Sequence, residues 1–153
     1  MAAILKSSYF RSNDFSNKQT FIELNMILES LYIDELGKKG RAVFTRKKIA
    51  AGSVIEISPV IVMNSADRLH LDKTLLHDYI FEWGEKKDQC CMALGYIPMY
   101  NHSYTSNCEY FMNYEESFIM VKTVRDIRKG EELTINYNGN WDDATEVWFD
   151  VKK

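Results

Sequence analysis

Runs of β-branched and aromatic residues, none longer than ten, are each closed by a turn signal and restrict this chain to a fold of short strands. "SLYIDE" runs into "LGKKGRAVF", where Gly37 and Gly40 bracket a basic turn. "VIEISPVIVM" is interrupted by Pro59, which predicts an edge strand or a bend. "CEYFMNY" and "SFIMVKTV" flank Glu115-Glu116 and read as a hairpin, and "ELTINY" is the last strand. Ile49-x-x-Gly52-x-x-Ile55 recurs as Ile127-x-x-Gly130-x-x-Leu133, which reads as two similar turns feeding strands. Helical spacing is confined to "SADRLHLDKTLLHDYIF" and the tail "DDATEVWFDV". In the tail, Asp143 and Glu146 fit a capping box, and Ala144, Val147, Trp148 and Val151 form one apolar face, with Trp148 read as core. The expectation is a mainly β domain with a short C-terminal helix; strand patterning alone does not choose between barrel, sandwich and irregular β fold.

At 153 residues the chain is read as one domain, 1–153, with a polar leader over 1–25. A net charge of -3 carries no electrostatic footprint for nucleic acid, and none is expected as a direct partner. No apolar run reaches membrane-spanning length and no secretory signal pattern opens the chain, so the protein is expected to be intracellular and away from membranes. That expectation bears on Asn101-His102-Ser103, which matches a glycan acceptor but then lacks the compartment for it. Cys90, Cys91 and Cys108, odd in number and two of them adjacent, suit a reducing interior. There is no C-x-x-C pair, and His70 and His77 lack an obvious third and fourth ligand, so no metal is expected. The carboxylates Glu82, Glu85, Glu115, Glu116, Glu131 and Glu132 read as a solvated face, with attraction of a basic peptide as the alternative.

Three segments in this order, "KGRAVFTRKKIAAGSVIE", "ALGYIPMYNHSYTSNCEY" and "VRDIRKGEELTINY", resemble the SET-domain protein-lysine methyltransferases. The resemblance covers about Leu31 to Trp141, taken as a core over 31–141, and "LLHDYIFEW" is similar to a segment of compact single-domain viral and microbial members. It implies a β-clip fold whose C-terminal strand passes beneath a preceding loop as a pseudoknot. It also implies S-adenosylmethionine as methyl donor, S-adenosylhomocysteine as product, and a lysine-containing protein, such as a histone tail, as acceptor. A monomer or weak homodimer is expected, in the cytoplasm, or in the nucleus if the substrate is chromatin. Residues 142–153 would replace the zinc-binding segment that follows many relatives.

By the same resemblance Tyr137 is the catalytic tyrosine and Tyr79 a channel tyrosine. Gly40, Arg41, Ala42, Asn101, His102, Tyr137 and Trp141 would hold the cofactor. Two residues depart from the family pattern: Ala42 stands where a second glycine is usual, and Asn136 where an acidic or small residue is frequent. If position 42 needed positive φ, alanine would cost about 1 kcal/mol; in an extended conformation it would cost almost nothing. These departures motivate a second reading, a SET-like module that binds a peptide or cofactor without turnover. Methyl transfer from a sulfonium to an amine needs a neutral amine, in-line alignment and exclusion of water. Tyrosines and backbone carbonyls suit that chemistry better than acids and bases do.

Overall fold

The computed structural model describes residues 8–9, 26–37 and 40–147. Most of the leader, Trp148 and the end of the tail lie outside the described residues. The strands are β1 (Ser8–Tyr9), β2 (Met26–Ile27), β3 (Leu31–Glu35), β4 (Arg41–Thr45), β5 (Val54–Met63), β6 (Phe81–Trp83), β7 (Gln89–Ala93), β8 (Asn101–His102), β9 (Cys108–Asn113), β10 (Phe118–Thr123) and β11 (Glu132–Ile135). One sheet has the order β1-β9-β10-β5-β7-β6, with β2 also on β5; the other has the order β3-β4-β11-β8.

The hairpin forms as its sequence predicts, with β9 and β10 paired from Cys108–Thr123 to Asn113–Phe118. Its alternation is clean: Cys108, Tyr110 and Met112 are buried while the residues between them are half-buried. β5 is not an edge strand, the first of the two readings of Pro59. It is central, and its partner changes around Pro59: Val54 to Pro59 pair with β10, and Val60 to Met63 pair with β7. Proline, lacking an N–H, is tolerated where one ladder ends and another begins.

The two echoed turns meet. Ile49 and Ile127 form an antiparallel bridge, exchanging N–H to C=O bonds of 3.1 and 2.8 Å. Gly52 N–H donates to the Thr123 carbonyl and Gly130 N–H to the Thr45 carbonyl, both at 2.8 Å. Each acceptor lies four residues before the opposite isoleucine, so a local two-fold relates the turns. Gly52 and Gly130 adopt φ values of 75° and 79°, which L side chains avoid. Both isoleucines are buried in the main core with Ile55, Tyr110, Val121 and Leu133.

Helix is sparse: α1 (Ser65–Leu71) and a 3₁₀ turn at Leu75–Tyr79 account for the predicted helical stretch. A capping box does occur, at Asn64 and Asp67 ahead of α1. The tail expected as a helix over 142–153 is irregular from Asp143 to Val147. The groups that would make its first turn are bonded elsewhere. The Asp143 carbonyl accepts from Asn136 Nδ2 at 2.7 Å, and Val147 N–H donates to Tyr104 Oη at 3.2 Å. The Asp143 carboxylate accepts from Thr145 N–H at 2.8 Å, two residues on. Local periodicity lost here to tertiary hydrogen bonds.

Among the described residues one charged group has no exposure, Glu56 on β5. Oε1 accepts from Ser58 Oγ at 2.8 Å and from the amides of Tyr96 and Ile97 at 2.6 and 3.2 Å. Oε2 accepts from Tyr100 Oη at 3.0 Å. Burial pushes its carboxyl above the usual range, and these four donors pull it back only in part. Gly95 makes the approach possible, because a Cβ there would collide with Ser58 Oγ and Glu56 Oε1. Gly95→Ala is therefore expected to destabilise the fold by about 2–3 kcal/mol through overpacking. A thermal melt should fall by roughly 5–10 °C for a domain of this size. A melt equal to the parent's would mean that the contact relaxes freely.

Candidate functional site

The segment clamped by Glu56 continues directly into β8. Asn101 and His102 pair in parallel with Thr134 and Ile135 of β11, so "NHS" and "ELTINY" lie side by side. Ser103 N–H extends the ladder to the Ile135 carbonyl. Asn107 adds a side-chain clamp: its Oδ1 accepts from Thr134 N–H at 2.8 Å and its Nδ2 donates to the Glu132 carbonyl at 2.7 Å.

Tyr137 follows β11 and is fixed at two points. Its N–H donates to His102 Nδ1 at 3.1 Å, and its hydroxyl donates to the Tyr100 carbonyl at 2.9 Å. The His102 ring lies 5.2 Å from the Tyr137 ring and packs edge-on against Tyr104 at 4.6 Å. Burial, followed by the nearby Asp78, Tyr79 and Glu132, pushes the Tyr137 phenol up to about 12. The hydroxyl therefore stays protonated at neutral pH. That pattern brings Tyr79, at the end of the 3₁₀ turn, into the electrostatic neighbourhood of Tyr137.

The strand β4 supplies the opposite wall. Asn101 Nδ2 donates to Glu132 Oε1 at 2.9 Å and, more weakly, to the Arg41 carbonyl at 3.5 Å. Gly40 has φ 78° and open space where a Cβ would stand. Ala42 is fully buried within β4, opposite Asp34, and does not have positive φ. The alanine is thus in the extended conformation where its methyl costs almost nothing. The Arg41 side chain is exposed; only its backbone reaches the site.

Asn136 also has a local reason. It is fully buried, and its Nδ2 donates to the Asp143 and Tyr104 carbonyls at 2.7 and 3.4 Å. Its Oδ1 accepts from Asn138 N–H at 3.0 Å. An amide satisfies donors and acceptors together, which a carboxylate cannot. Ser106 N–H and Oγ both donate to the Trp141 carbonyl, at 3.0 and 3.2 Å. These bonds lace the segment after β11 to the loop at 103–106, the close passage expected of the C-terminal strand. Trp141 is held by its backbone and is 41% exposed. The structure thus gathers Tyr137, Asn101, His102 and the Gly40-Arg41-Ala42 backbone, sets Tyr79 nearby, and leaves Trp141 at the rim. Among the described residues no group of three or more His, Cys, Asp or Glu side chains could hold a metal ion.

The SET-domain family model matches residues 40–138. A Schizosaccharomyces pombe histone-lysine N-methyltransferase specific for H3 lysine-37 is 31% identical over 130 residues, which are 84% of this chain and 83% of that one. Histone-lysine N-methyltransferase set9 of the same yeast is 31% identical over 90 residues, covering 59% of this chain and 18% of its own length. The crystal structure of a Plasmodium falciparum protein assigned as a histone methyltransferase aligns with a TM-score of 0.55 at 26% identity, over 75% of this chain and 98% of that one.

Burial lowers the His102 imidazole from 6.5 to about 4, and its Nδ1 must stay unprotonated to accept from Tyr137 N–H. The unfolded chain takes up this proton first as the pH falls. The stability contribution is therefore complete above pH 6.5 and is lost as the pH falls toward about 4. The melting temperature of the parent should fall across that window more steeply than that of His102→Gln. Equal slopes would show that another group controls the acid transition.

Proposed function

The chain belongs to the SET-domain family of protein-lysine methyltransferases, and on that premise we propose that it transfers a methyl group from S-adenosylmethionine to a lysine side chain of a protein. A histone is the substrate class we favour, since the relatives it resembles are named for histone lysines. The observation that carries this reading is the double anchoring of Tyr137, N–H on His102 and hydroxyl on the Tyr100 carbonyl.

The residues present fit such a donor. Open space above Gly40, the extended β4 backbone and the Asn101 amide form a mixed polar and apolar border. Bound there, S-adenosylmethionine supplies an electrophilic methyl on a sulfonium. Gly40, Arg41 and Ala42 would line it through backbone, and Asn101 and His102 would border it from β8. Trp141, at the rim, would cover it in part.

The chain's own task is to prepare the amine. A lysine amine has a pKa near 10.4 in water and must lose its proton before it can attack. Desolvation beside the Tyr137 and Tyr79 rings favours the neutral form. The Tyr137 oxygen, held by its bond to the Tyr100 carbonyl, would orient the nitrogen lone pair along the line of displacement. Such alignment can supply several kcal/mol of the barrier. Asp78 and Glu132, both felt at Tyr137, favour approach of a cationic side chain. The alternative of a module without turnover loses its motive. Ala42 sits in unstrained strand, and Asn136 is fully bonded. Nuclear residence would follow if the substrate is chromatin.

Calorimetry should detect binding of S-adenosylmethionine to the folded chain without added metal. Tyr137→Phe should keep most of that affinity while lowering turnover at least about a hundredfold, equivalent to about 2.7 kcal/mol of transition-state stabilisation. The fold should lose only about 1 kcal/mol, for one hydrogen bond. Turnover equal to the parent's would move the role to Tyr79. Absence of cofactor binding would remove the enzyme reading.

A further inference from the structure

The paired turns at Ile49 and Ile127 form the floor of a second cleft, of about 1360 Å³, that shares no residue with the candidate site. Its two rims are basic. One carries Lys48, with the exposed Arg46 and Lys47 just before it in sequence; the other carries Arg125, Arg128 and Lys129, and all six are exposed. We propose that this cleft is a docking surface for the phosphate backbone of duplex nucleic acid. The inference stands apart from the methyl-transfer reading and would hold or fail without it.

Three observations carry it. The first is convergence. The two runs lie more than 75 residues apart in sequence, and the exchanged bonds between Ile49 and Ile127 bring them together. A fold that gathers like charges pays electrostatic self-repulsion for it, which an incoming polyanion would relieve.

The second is that the opposing acids are already engaged. Asp126 and Glu131 are the two carboxylates of the cleft. Asp126 Oδ1 accepts from Ala51 N–H at 2.8 Å. Glu131 accepts from Arg128 N–H at 2.8 Å and pairs with Arg125 at 2.5 Å. Among the described residues Arg125 is the one cation of the six with an ion pair, and Arg46 lies 4.4 Å over the Tyr32 ring. Lys47, Lys48, Arg128 and Lys129 have no carboxylate partner there.

The third is the lining. Ile49 and Ile127 are buried beneath the cleft, at 7% and 2% exposure, and alanine and glycine fill the space between the cations. Among the described residues its exposed apolar side chains are only Ala50 and Ala51, too small to insert into a bilayer or seat a peptide anchor. Cations on both rims of a trough that exposes no large apolar side chain suit a linear array of phosphates. The net charge of -3 argued against nucleic acid only as a sum over the whole chain; a local patch is what a phosphate backbone meets.

The test is fluorescence anisotropy of a labelled DNA duplex of about 20 base pairs, titrated with the full chain between about 50 and 200 mM salt. With roughly three phosphates neutralised, log K should fall against log salt with a slope near -3, and a duplex of unrelated sequence should bind alike. The variant K48Q/R128Q/K129Q should bind at least about tenfold more weakly at the lower salt and lose most of the slope. K48R/R128K/K129R, which keeps the charges, should bind as the parent does and controls for folding. Parent-like binding by the glutamine variant would overturn the proposal, as would absence of salt-dependent binding. Tighter binding to phosphatidylserine vesicles or to polyglutamate at equal salt would also overturn it and assign the cleft to another partner.

Discussion

The buried Glu56 carboxylate organises the region on which the candidate site depends. A charge with no exposure is tolerated because four donors converge on it, two of them consecutive backbone amides. Three of those donors, on Tyr96, Ile97 and Tyr100, belong to the turn between β7 and β8, and the fourth, Ser58, lies on β5 beside Glu56. Fixing that turn fixes Tyr100, whose hydroxyl meets Glu56 on one side and whose carbonyl receives the Tyr137 hydroxyl on the other. One tyrosine thus couples a core carboxylate to the residue proposed to orient the acceptor amine. Gly95 belongs to the same device, since no side chain fits between it and the carboxylate.

A second layer of constraint comes from side-chain amides. Asn101, Asn107 and Asn136 each bond to backbone carbonyls or amides of another segment. Amides can serve donors and acceptors at once, and here they join β8, β11 and the chain beyond β11 where strand pairing is only two residues long. His102 completes the set by accepting from Tyr137 N–H in its neutral form. The outcome is a site in which little backbone is left to move.

Much of this was legible in the sequence. β5 and the β9–β10 hairpin follow from runs of β-branched and aromatic residues and their turns, because burial is continuous over Ile55 to Ser58 and alternates along β9. The family resemblance marked "NHS" and "ELTINY" as site segments, but their pairing was not legible, since two-residue strands carry no pattern of their own. What could not be read has a common physical source. Pro59 marks a change of partner instead of an edge, and the tail from Asp143 to Val147 gives its helical bonds to Asn136 and Tyr104. Each case is decided by a segment far away in sequence. The echoed isoleucine–glycine turns were visible, but their meeting across a local two-fold was not.

The central claim is that this arrangement moves a methyl group onto a protein lysine. The most direct measurement incubates the purified chain with methyl-labelled S-adenosylmethionine and intact histones beside a whole-cell lysate, then maps the label by mass spectrometry. The account predicts label on the ε-nitrogen of one or a few lysines. Label confined to other atoms, or none in either mixture from a folded chain that binds the cofactor, would contradict it.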